Sequence, residues 1–186
     1  MGLLKLQVLF FFLFFSVACT KNTPSTQIIA IPNGDFENWD NSPYLLNWQT
    51  NSCPLCLPPY ETYIVKKTSE AINGYFAAKF IYNNVYSSYA FIKFPVSANP
   101  DLLSGYIKSN ITAGDTAQIH IDVFSSNKII DSGNWFETST SINYKKIEIP
   151  LSQSTSTIAD SVSIRISGGH KQNTELFVDN LVLTKN

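Results

Sequence analysis

Apolar and polar residues alternate in several short segments of this chain. Within residues 119–124, isoleucine or valine occupies every second position, and the same alternation or further candidate strands occur at 63–67, 75–81, 89–94, 102–108, 147–149, 162–167 and 176–181. A period of two predicts β-strands with one buried face. Turn signals separate them at Asn73-Gly74, Ala113-Gly114-Asp115 and Gly168-Gly169. About eight to ten short strands without a long helical stripe indicate an all-β, two-sheet antiparallel β-sandwich.

The N-terminal segment breaks this pattern. Lys5 precedes an apolar run rich in Leu, Val and Phe that reaches Phe15, and Ser16-Val17-Ala18-Cys19 follows. A basic residue, a short apolar run and small residues before a cleavage point are typical of a secretory signal, here with a lipoprotein cleavage box that ends in Cys19. The run is too short to span a bilayer comfortably, since that takes about 20 residues.

Cleavage before Cys19 predicts three parts: a lipoprotein signal peptide at 1–18, a flexible tether at 19–27 and a β-sandwich domain at 28–186. Acyl chains such as palmitate on Cys19 each contribute about 0.8 kcal/mol per buried methylene, so we expect a lasting membrane anchor. The expected location is the outer membrane, on the cell surface or the periplasmic face. The alternative is an ordinary secretory signal in which Cys19 is a bystander.

Composition agrees with an exported β-rich protein. The formal net charge is −1, aromatic residues make up 13% and charged residues only 15%. Nucleic-acid partners need clustered positive charge, so this balance predicts no nucleic-acid partner. Cys53-Pro54-Leu55-Cys56 holds the other two cysteines. Export favours a disulfide between Cys53 and Cys56 over a redox dithiol or half of a zinc site.

Two distant segments carry a family resemblance. Residues 31–39 read Ile-Pro-Asn-Gly-Asp-Phe-Glu-Asn-Trp, with Trp48 after them, and residues 176–183 read Leu-Phe-Val-Asp-Asn-Leu-Val-Leu. Together they resemble the two ends of a galactose-binding-like jelly-roll carbohydrate-binding module. The middle of the chain, 103–124, is similar to a domain assigned to carbohydrate metabolism in outer-membrane lipoproteins. The resemblance implies a jelly-roll sandwich that binds glycan.

The same resemblance implies a structural Ca²⁺ where the two ends meet. It assigns the side chains of Glu37 and Asp179 and the carbonyl of Asp35 as ligands, with a further ligand from the loop 70–73. Oxygen ligands of this kind are those that Ca²⁺ prefers. The alternative is that Glu37 and Asp179 are turn or capping residues without an ion.

A sugar site needs aromatic rings beside amide or charged groups. The candidates for ligand binding are Trp39, Tyr82, Asn84, Tyr86, Tyr89 and Trp135, with Tyr44 and Asn83 nearby in sequence. Aromatic side chains also dominate the cores of small sandwiches, and Trp48 is expected in the core. Tyr82, Tyr86 and Trp135 lie in polar, turn-like sequence, which favours exposure.

No catalytic motif is present in the sequence. His120 lies on the polar side of a strand and His170 follows a Gly-Gly turn, so both are expected to be solvated. A glycosidase needs two carboxylates across a cleft, and Asp35 with Glu37 is explained better by calcium.

Three functions therefore remain open. The first is a lipid-anchored, non-catalytic carbohydrate-binding lipoprotein. The second is a structural or adhesion lipoprotein that binds a protein partner in an uptake or adhesion complex. The third is a glycan-processing enzyme. The strings Asp115-Thr116-Ala117 and Asp160-Ser161-Val162 also resemble bacterial O-glycosylation acceptors.

Overall fold

The computed structural model describes residues 25–40, 44–53, 56, 62, 64–152 and 157–185. Within these residues the regular structure is entirely β, and the strands are β1 (Gln27–Ile29), β2 (Gln49–Thr50), β3 (Val65–Thr68), β4 (Ala77–Ile81), β5 (Tyr89–Pro95), β6 (Leu102–Asn110), β7 (Ala117–Ser125), β8 (Lys128–Glu137), β9 (Ser141–Pro150), β10 (Ser161–Ser167) and β11 (Glu175–Lys185). In these ranges no helix is long and apolar enough to cross a membrane.

The strands form two antiparallel sheets. The six-stranded sheet has the order β3-β4-β11-β6-β9, with β1 paired to the C-terminal part of β11. The five-stranded sheet has the order β2-β5-β10-β7-β8. Most neighbours in space are distant in sequence, as in sandwiches with Greek-key connections. The prediction of an all-β, two-sheet antiparallel sandwich is confirmed.

The core lies between the sheets and is built from alternate residues of each strand. Ile119 and Ile121 of β7 and Ile164 and Ile166 of β10 are at most 1% exposed. Leu183 of β11 joins the same cluster from the six-stranded sheet. Each such side chain contributes about 1.5–3 kcal/mol when it leaves water. Because these residues point inward, the residues between them point outward.

The register of the five-stranded sheet aligns four outward residues in one row. Ser167 of β10 lies between Tyr89 of β5 and Gln118 of β7, and Gln118 is paired in turn with Phe136 of β8. Arg165 lies one outward position further along β10, beside Phe91 of β5. These positions are far apart in the sequence, and only the strand pairing brings them together.

The two ends of the domain meet at a bulge in β11. The register shifts between Asp179 and Val182, and Asn180 has a φ of 50°. The N–H of Leu181 donates to the carbonyl of Gly34 at 2.8 Å. A Cβ on Gly34 would lie 2.7 Å from the Leu181 carbonyl oxygen, so this approach requires glycine. The opening and closing motifs of the sequence are thus neighbours in space.

Some expectations need correction or lie outside the described residues. Trp135 lies within strand β8 rather than in a turn, so the prediction of turn-like structure there was wrong. Strand β1 begins at Gln27, inside the segment assigned to the tether. The signal peptide and Cys19 lie outside the described residues. Cys53 and Cys56 are joined by a disulfide with a Cα–Cα distance of 5.4 Å.

Candidate functional site

A depression of about 670 Å³ opens at one end of the five-stranded sheet. It begins at the row of outward residues and continues onto two loops. One loop precedes β7 and contributes Asp115, and the other follows β10 and contributes His170. The full lining consists of Ser87, Ser88, Tyr89, Gly114, Asp115, Thr116, Gln118, Phe136, Arg165, Ser167 and His170. We call this surface the depression.

Aromatic rings stand on both sides of the depression. Tyr89, at the start of β5, is 37% exposed, and Phe136, near the end of β8, is 60% exposed. Ser167 and Gln118 lie between them in the same row of the sheet. A polar floor flanked by exposed rings can receive a molecule that has apolar faces and hydroxyl edges.

The loops at the end of the depression are held together by the Asp115 carboxylate. Asp115 is 6% exposed. Its Oδ1 accepts from the N–H of Thr116 at 2.9 Å, both oxygens accept from the N–H of His170 at 2.9 Å, and Oδ2 accepts from the N–H of Lys171 at 2.8 Å. A Cβ on Gly169 would lie 2.1 Å from Oδ2, so the 168–171 turn can approach this closely only with glycine.

These hydrogen bonds decide the protonation of Asp115. Burial raises the pKa of the carboxyl, but the N–H of His170, the Thr174 side chain and the N–H groups of Thr116 and Lys171 act in the opposite direction. The net result is a pKa below the ordinary value, because the donors favour the ionised form. Asp115 is therefore a structural anion at the base of the depression.

Arg165 is held against aromatic rings beside the depression. Its guanidinium carbon lies 5.5 Å from the centroid of the Tyr89 ring and 5.8 Å from that of Phe91. Stacking of this kind restricts a long side chain and leaves the edge of the guanidinium free for hydrogen bonds. The arginine is exposed.

A chain of polar side chains continues from the depression along β7 and β8. The amide of Gln118 donates to Oδ1 of Asn134 at 2.7 Å, and Nδ1 of His120 lies 2.8 Å from the same oxygen. Nε2 of His120 lies 2.9 Å from Oδ1 of Asp122. His120 is thus half-buried in a network rather than freely solvated. The network fixes the orientation of Gln118 at the edge of the depression.

Tyr89 is the one predicted ligand-binding residue among the described residues that line the depression. Tyr82 and Ser87 form a β-bridge that closes the connection between β4 and β5. Within this connection Asn84 has a φ of 73°, and Tyr86 is 52% exposed. Tyr82, Asn84 and Tyr86 therefore lie on the segment that leads to the depression but not in its lining.

The two predicted tryptophans lie elsewhere. Trp39 packs against the core, and its Nε1 donates to the carbonyl of Phe36 at 2.7 Å. Trp135 is also partly buried against the core, and the Lys145 ammonium lies 5.8 Å from its ring centroid. The structure does not bring either ring together with Tyr89. Trp48 is 6% exposed, in agreement with its expected place in the core.

Glu37 and Asp179 hold the loop 70–76 by its backbone. Oε1 of Glu37 accepts from the N–H of Tyr75 at 2.8 Å and of Phe76 at 3.0 Å. Oδ2 of Asp179 accepts from the N–H of Ile72 at 2.8 Å and of Asn73 at 3.2 Å. Both carboxylates therefore act in part as the turn-binding groups that the sequence left as an alternative.

Whether a cation can bind between Glu37 and Asp179 depends on the oxygens that do not accept backbone hydrogen bonds. Oδ1 of Asp179 is buried and has no hydrogen-bond partner among the described residues. Burial raises the pKa of Asp179 above its ordinary value, as does the nearby Glu37, although the N–H groups of Asn73 and Ile72 oppose this. In the described ranges no cluster of three metal-binding side chains occurs. The Asp35 side chain is exposed. A cation here would need backbone carbonyl ligands besides Glu37 and Asp179.

Several residues of the depression were missed at the level of sequence. Gln118, Phe136 and Arg165 lie on three different strands. The alternation indicated the outward faces of β7 and β10, but strand β8, which carries Phe136, was not predicted. Phe136 was noted only as a neighbour of Trp135. For Gln118 and Arg165, the available signal was a polar-face position in a strand whose other face carries buried isoleucines.

Solved structures with low sequence identity share this fold. A carbohydrate-binding module, TmCBM61, solved in complex with β-1,4-galactotriose, matches with a TM-score of 0.57 and 16% identity, over 84% of this chain and 97% of the module. A cyclase from Fischerella sp. TAU matches with a TM-score of 0.56 and 11% identity, over 86% of this chain and 97% of the cyclase.

A protein from Bacteroides vulgatus ATCC 8482, named as a candidate glycoside hydrolase, matches with a TM-score of 0.53 and 12% identity, over 65% of this chain and 77% of that protein. No protein-family model matches the sequence, and no curated protein matches it. The chain therefore has the jelly-roll β-sandwich fold of a carbohydrate-binding module, a fold that also occurs in enzymes.

Proposed function

We propose that this chain is a non-catalytic carbohydrate-binding protein and that the depression is its binding site. The observation that carries the proposal is the row in which exposed Tyr89 and Phe136 flank Ser167 and Gln118. Rings contact the apolar C–H faces of a sugar, while hydroxyl and amide groups bind its edges. The similarity in fold to a module solved with β-1,4-galactotriose supports the class of ligand.

The chemistry of the lining supports binding rather than cleavage. Among the described residues that line the depression, Asp115 is the one carboxylate. Its oxygens accept backbone hydrogen bonds, and its pKa lies below the ordinary value, so it is a poor proton donor at neutral pH. A glycosidase of the usual kind needs a second carboxylate about 5 to 9.5 Å away.

Calorimetric titration and a glycan array test the proposal directly. For a site of this kind we expect dissociation constants between about 1 mM and 1 μM, or about −4 to −8 kcal/mol. The array should include plant, algal and host glycans, with β-1,4-galacto-oligosaccharides among them. Absence of binding across the whole array would refute the proposal, and release of reducing sugar would favour the enzyme instead.

Ring removal locates the site. Tyr89→Ala and Phe136→Ala should each weaken binding about tenfold or more, which corresponds to about 1.4 kcal/mol. Tyr75→Ala is the matched control, because Tyr75 is 80% exposed, precedes β4 of the six-stranded sheet and lies outside the lining of the depression. Tyr86→Ala tests whether the segment before β5 extends the site. Equal effects of Tyr75→Ala and Tyr89→Ala would refute the assignment.

A protein partner is the competing outcome. If the chain belongs to an adhesion or uptake complex, a protein partner should co-purify with it in stoichiometric amount from detergent-solubilised membranes. Added glycan should not change the amount of partner that is captured. The Tyr89→Ala variant would then retain the partner, since the depression would play no part.

We also propose that Cys19 is the lipid attachment site of an outer-membrane lipoprotein. The support is the sequence Ser16-Val17-Ala18-Cys19 after the apolar run. Intact mass of the processed protein should show acyl chains on an N-terminal cysteine, and Cys19→Ser should release the protein from membranes. A processed N-terminus at another residue would contradict the anchor.

A structural Ca²⁺ between Glu37 and Asp179 is the remaining part of the proposal. The support is the buried Oδ1 of Asp179, which has no hydrogen-bond partner in the part of the chain that the structure describes, and the proximity of two carboxylates. The ion would supply charge neutralisation and bind the loop 70–76 to the ends of the domain. Ca²⁺ at 100 times its dissociation constant should stabilise the fold by about 2.7 kcal/mol.

Thermal unfolding in CaCl₂ and in EDTA tests this. Asp179→Asn should abolish the difference between the two conditions, whereas Asp35→Asn should retain it, because only the Asp35 carbonyl is proposed as a ligand. An identical melting temperature of the unmodified chain in CaCl₂ and EDTA would refute the calcium site.

A further inference from the structure

Arg165 is the only arginine of the chain. It lies on β10, the middle strand of the five-stranded sheet, and its side chain lines the depression. A single arginine at the centre of the proposed binding face suggests a role that the more numerous lysines do not fill. Arginine differs from lysine in its planar fork of donors, which matches a carboxylate or a similar oxyanion.

Four lysines of the six-stranded sheet are paired with carboxylates. On the six-stranded sheet, Lys79 lies 2.7 Å from Glu175, Lys145 lies 2.5 Å from Glu137 and Lys146 lies 2.6 Å from Glu148, while Lys108 is paired with Glu70. Each of these cations has a neighbouring carboxylate. Among the described residues, Arg165 has no carboxylate within ion-pair distance.

The carboxylates on the same side of the molecule are already engaged. Asp115 is buried, and its oxygens accept backbone N–H groups of the two loops. Asp122 lies against His120. Arg165 is exposed, so its positive charge faces solvent at the depression while the negative charge of Asp115 lies below the surface.

The position of the guanidinium is restricted before any ligand arrives. The rings of Tyr89 and Phe91 lie 5.5 and 5.8 Å from its carbon and limit its motion. A stacked guanidinium loses less freedom when it binds an oxyanion, and a bidentate pair with a charged group is stronger than a neutral hydrogen bond. The guanidinium donors of Arg165 therefore favour an anionic group in the ligand.

We infer that the depression binds an anionic glycan, with Arg165 holding a carboxylate or sulfate group on the sugar. This inference rests on the proposed function and specifies its ligand. Tyr89 and Phe136 contact the sugar rings, and Arg165 selects those units that carry the charge. A neutral sugar leaves the guanidinium without an ionic partner and binds more weakly.

Titration of the full chain in detergent with three probes of similar length tests the inference. The probes are an oligogalacturonate, a sulfated galactan oligosaccharide and neutral β-1,4-galactotriose. At least one anionic probe should bind about tenfold or more tightly than the neutral one, and the stronger of the two identifies carboxylate or sulfate as the natural group. Raising NaCl from 50 to 500 mM should weaken only the anionic probes, because the Debye length falls.

Substitutions assign the preference to one residue. Arg165→Gln should reduce the ratio of anionic to neutral affinity to less than about threefold. Arg165→Lys, which retains the charge but lacks the fork, should fall between the two. Lys93→Gln is the matched control, since Lys93 is a cation of β5 stacked on Phe124 and outside the depression's lining, and it should leave the preference unchanged.

The outcomes separate the two claims. Equal or tighter binding of the neutral probe would overturn the anionic ligand and leave carbohydrate binding intact. An anionic preference that persists in Arg165→Gln, or disappears in Lys93→Gln, would overturn the role of Arg165. Failure of all three probes and of the glycan array would overturn both.

Discussion

Replacement of Asp115 by asparagine should loosen the two loops that form the end of the depression. The native carboxylate accepts from the N–H groups of Thr116, His170 and Lys171 at 2.8–2.9 Å. An asparagine retains one acceptor oxygen and places an amide N–H₂ where the other oxygen was. At least one backbone N–H then faces another donor in a site that is 6% exposed.

The size of the effect follows from the bonds that are lost. A hydrogen bond to a charged group contributes about 1.5–3 kcal/mol, and a buried donor left without an acceptor costs about 1–3 kcal/mol. We therefore expect Asp115→Asn to lower the free energy of unfolding by about 2–4 kcal/mol at pH 7. Urea unfolding followed by tryptophan fluorescence measures this, with the buried Trp48 as a probe.

The pH dependence of the same variant gives a second, independent test. The pKa of Asp115 lies below its ordinary value in the folded protein, so the native state favours the ionised form. The stabilisation is present above the unfolded-state pKa, about 3.9, and is lost as the pH falls through the lower folded-state pKa. The difference between the unmodified chain and Asp115→Asn should therefore narrow below about pH 4.

The control is Asp131→Asn, which removes the same charge from a more exposed aspartate that accepts from Ser132 and Ser152. It should change the unfolding free energy by about 0.5 kcal/mol or less. An equal loss in both variants would show that charge alone is responsible. A loss for Asp115→Asn that does not change between pH 7 and pH 3 would contradict the role of the ionised carboxylate.

Two further substitutions and one reduction experiment follow from the turns. Gly74→Ala and Gly114→Ala both place alanine at a positive φ, of 71° and 72°, which costs about 1–2 kcal/mol each. The Cβ at Gly74 would also lie 2.1 Å from Oε1 of Glu37, whereas that at Gly114 meets only the flexible end of Lys171 at 3.0 Å, so urea unfolding should show the larger loss for Gly74→Ala. Equal losses of unfolding free energy would contradict the expected steric clash with Glu37. Reduction of the Cys53–Cys56 disulfide should lower the unfolding free energy by about 2 kcal/mol or less, because the loop is short. A larger decrease in the unfolding free energy measured in urea would contradict this prediction.

The sequence was most informative where one face of a strand is buried. Strands β7 and β10 were predicted because isoleucine and valine occupy alternate positions over 119–123 and 162–166, and these side chains lie in the core. Strand β8 was missed because it is an edge strand with mixed polarity on both faces. Gly133 interrupts its pattern, and the structure explains why: a Cβ there would lie 2.5 Å from Cγ2 of Ile149.

The site was predicted only in part because it depends on long-range pairing. Tyr89 was identified from its aromatic, amide-rich surroundings, but Arg165 is one exposed polar position in an otherwise ordinary strand. Asp115 was noted only in a turn signal and in a possible modification string. Its partners His170 and Lys171 lie 55 and 56 residues further along the chain, and no local pattern indicates that contact.

Strand β1 lies at the opposite end of the five-stranded sheet from the depression. Gln27–Ile29 lies beside residues 95–97, at the far end of β5 from Tyr89. A seven-residue strand is about 20 Å long. The proposed lipid anchor ahead of Gln27 would therefore attach the sandwich at this end, and the depression would open at the opposite end. A polymer too bulky to enter the gap between the protein and the membrane would then still have access to the depression.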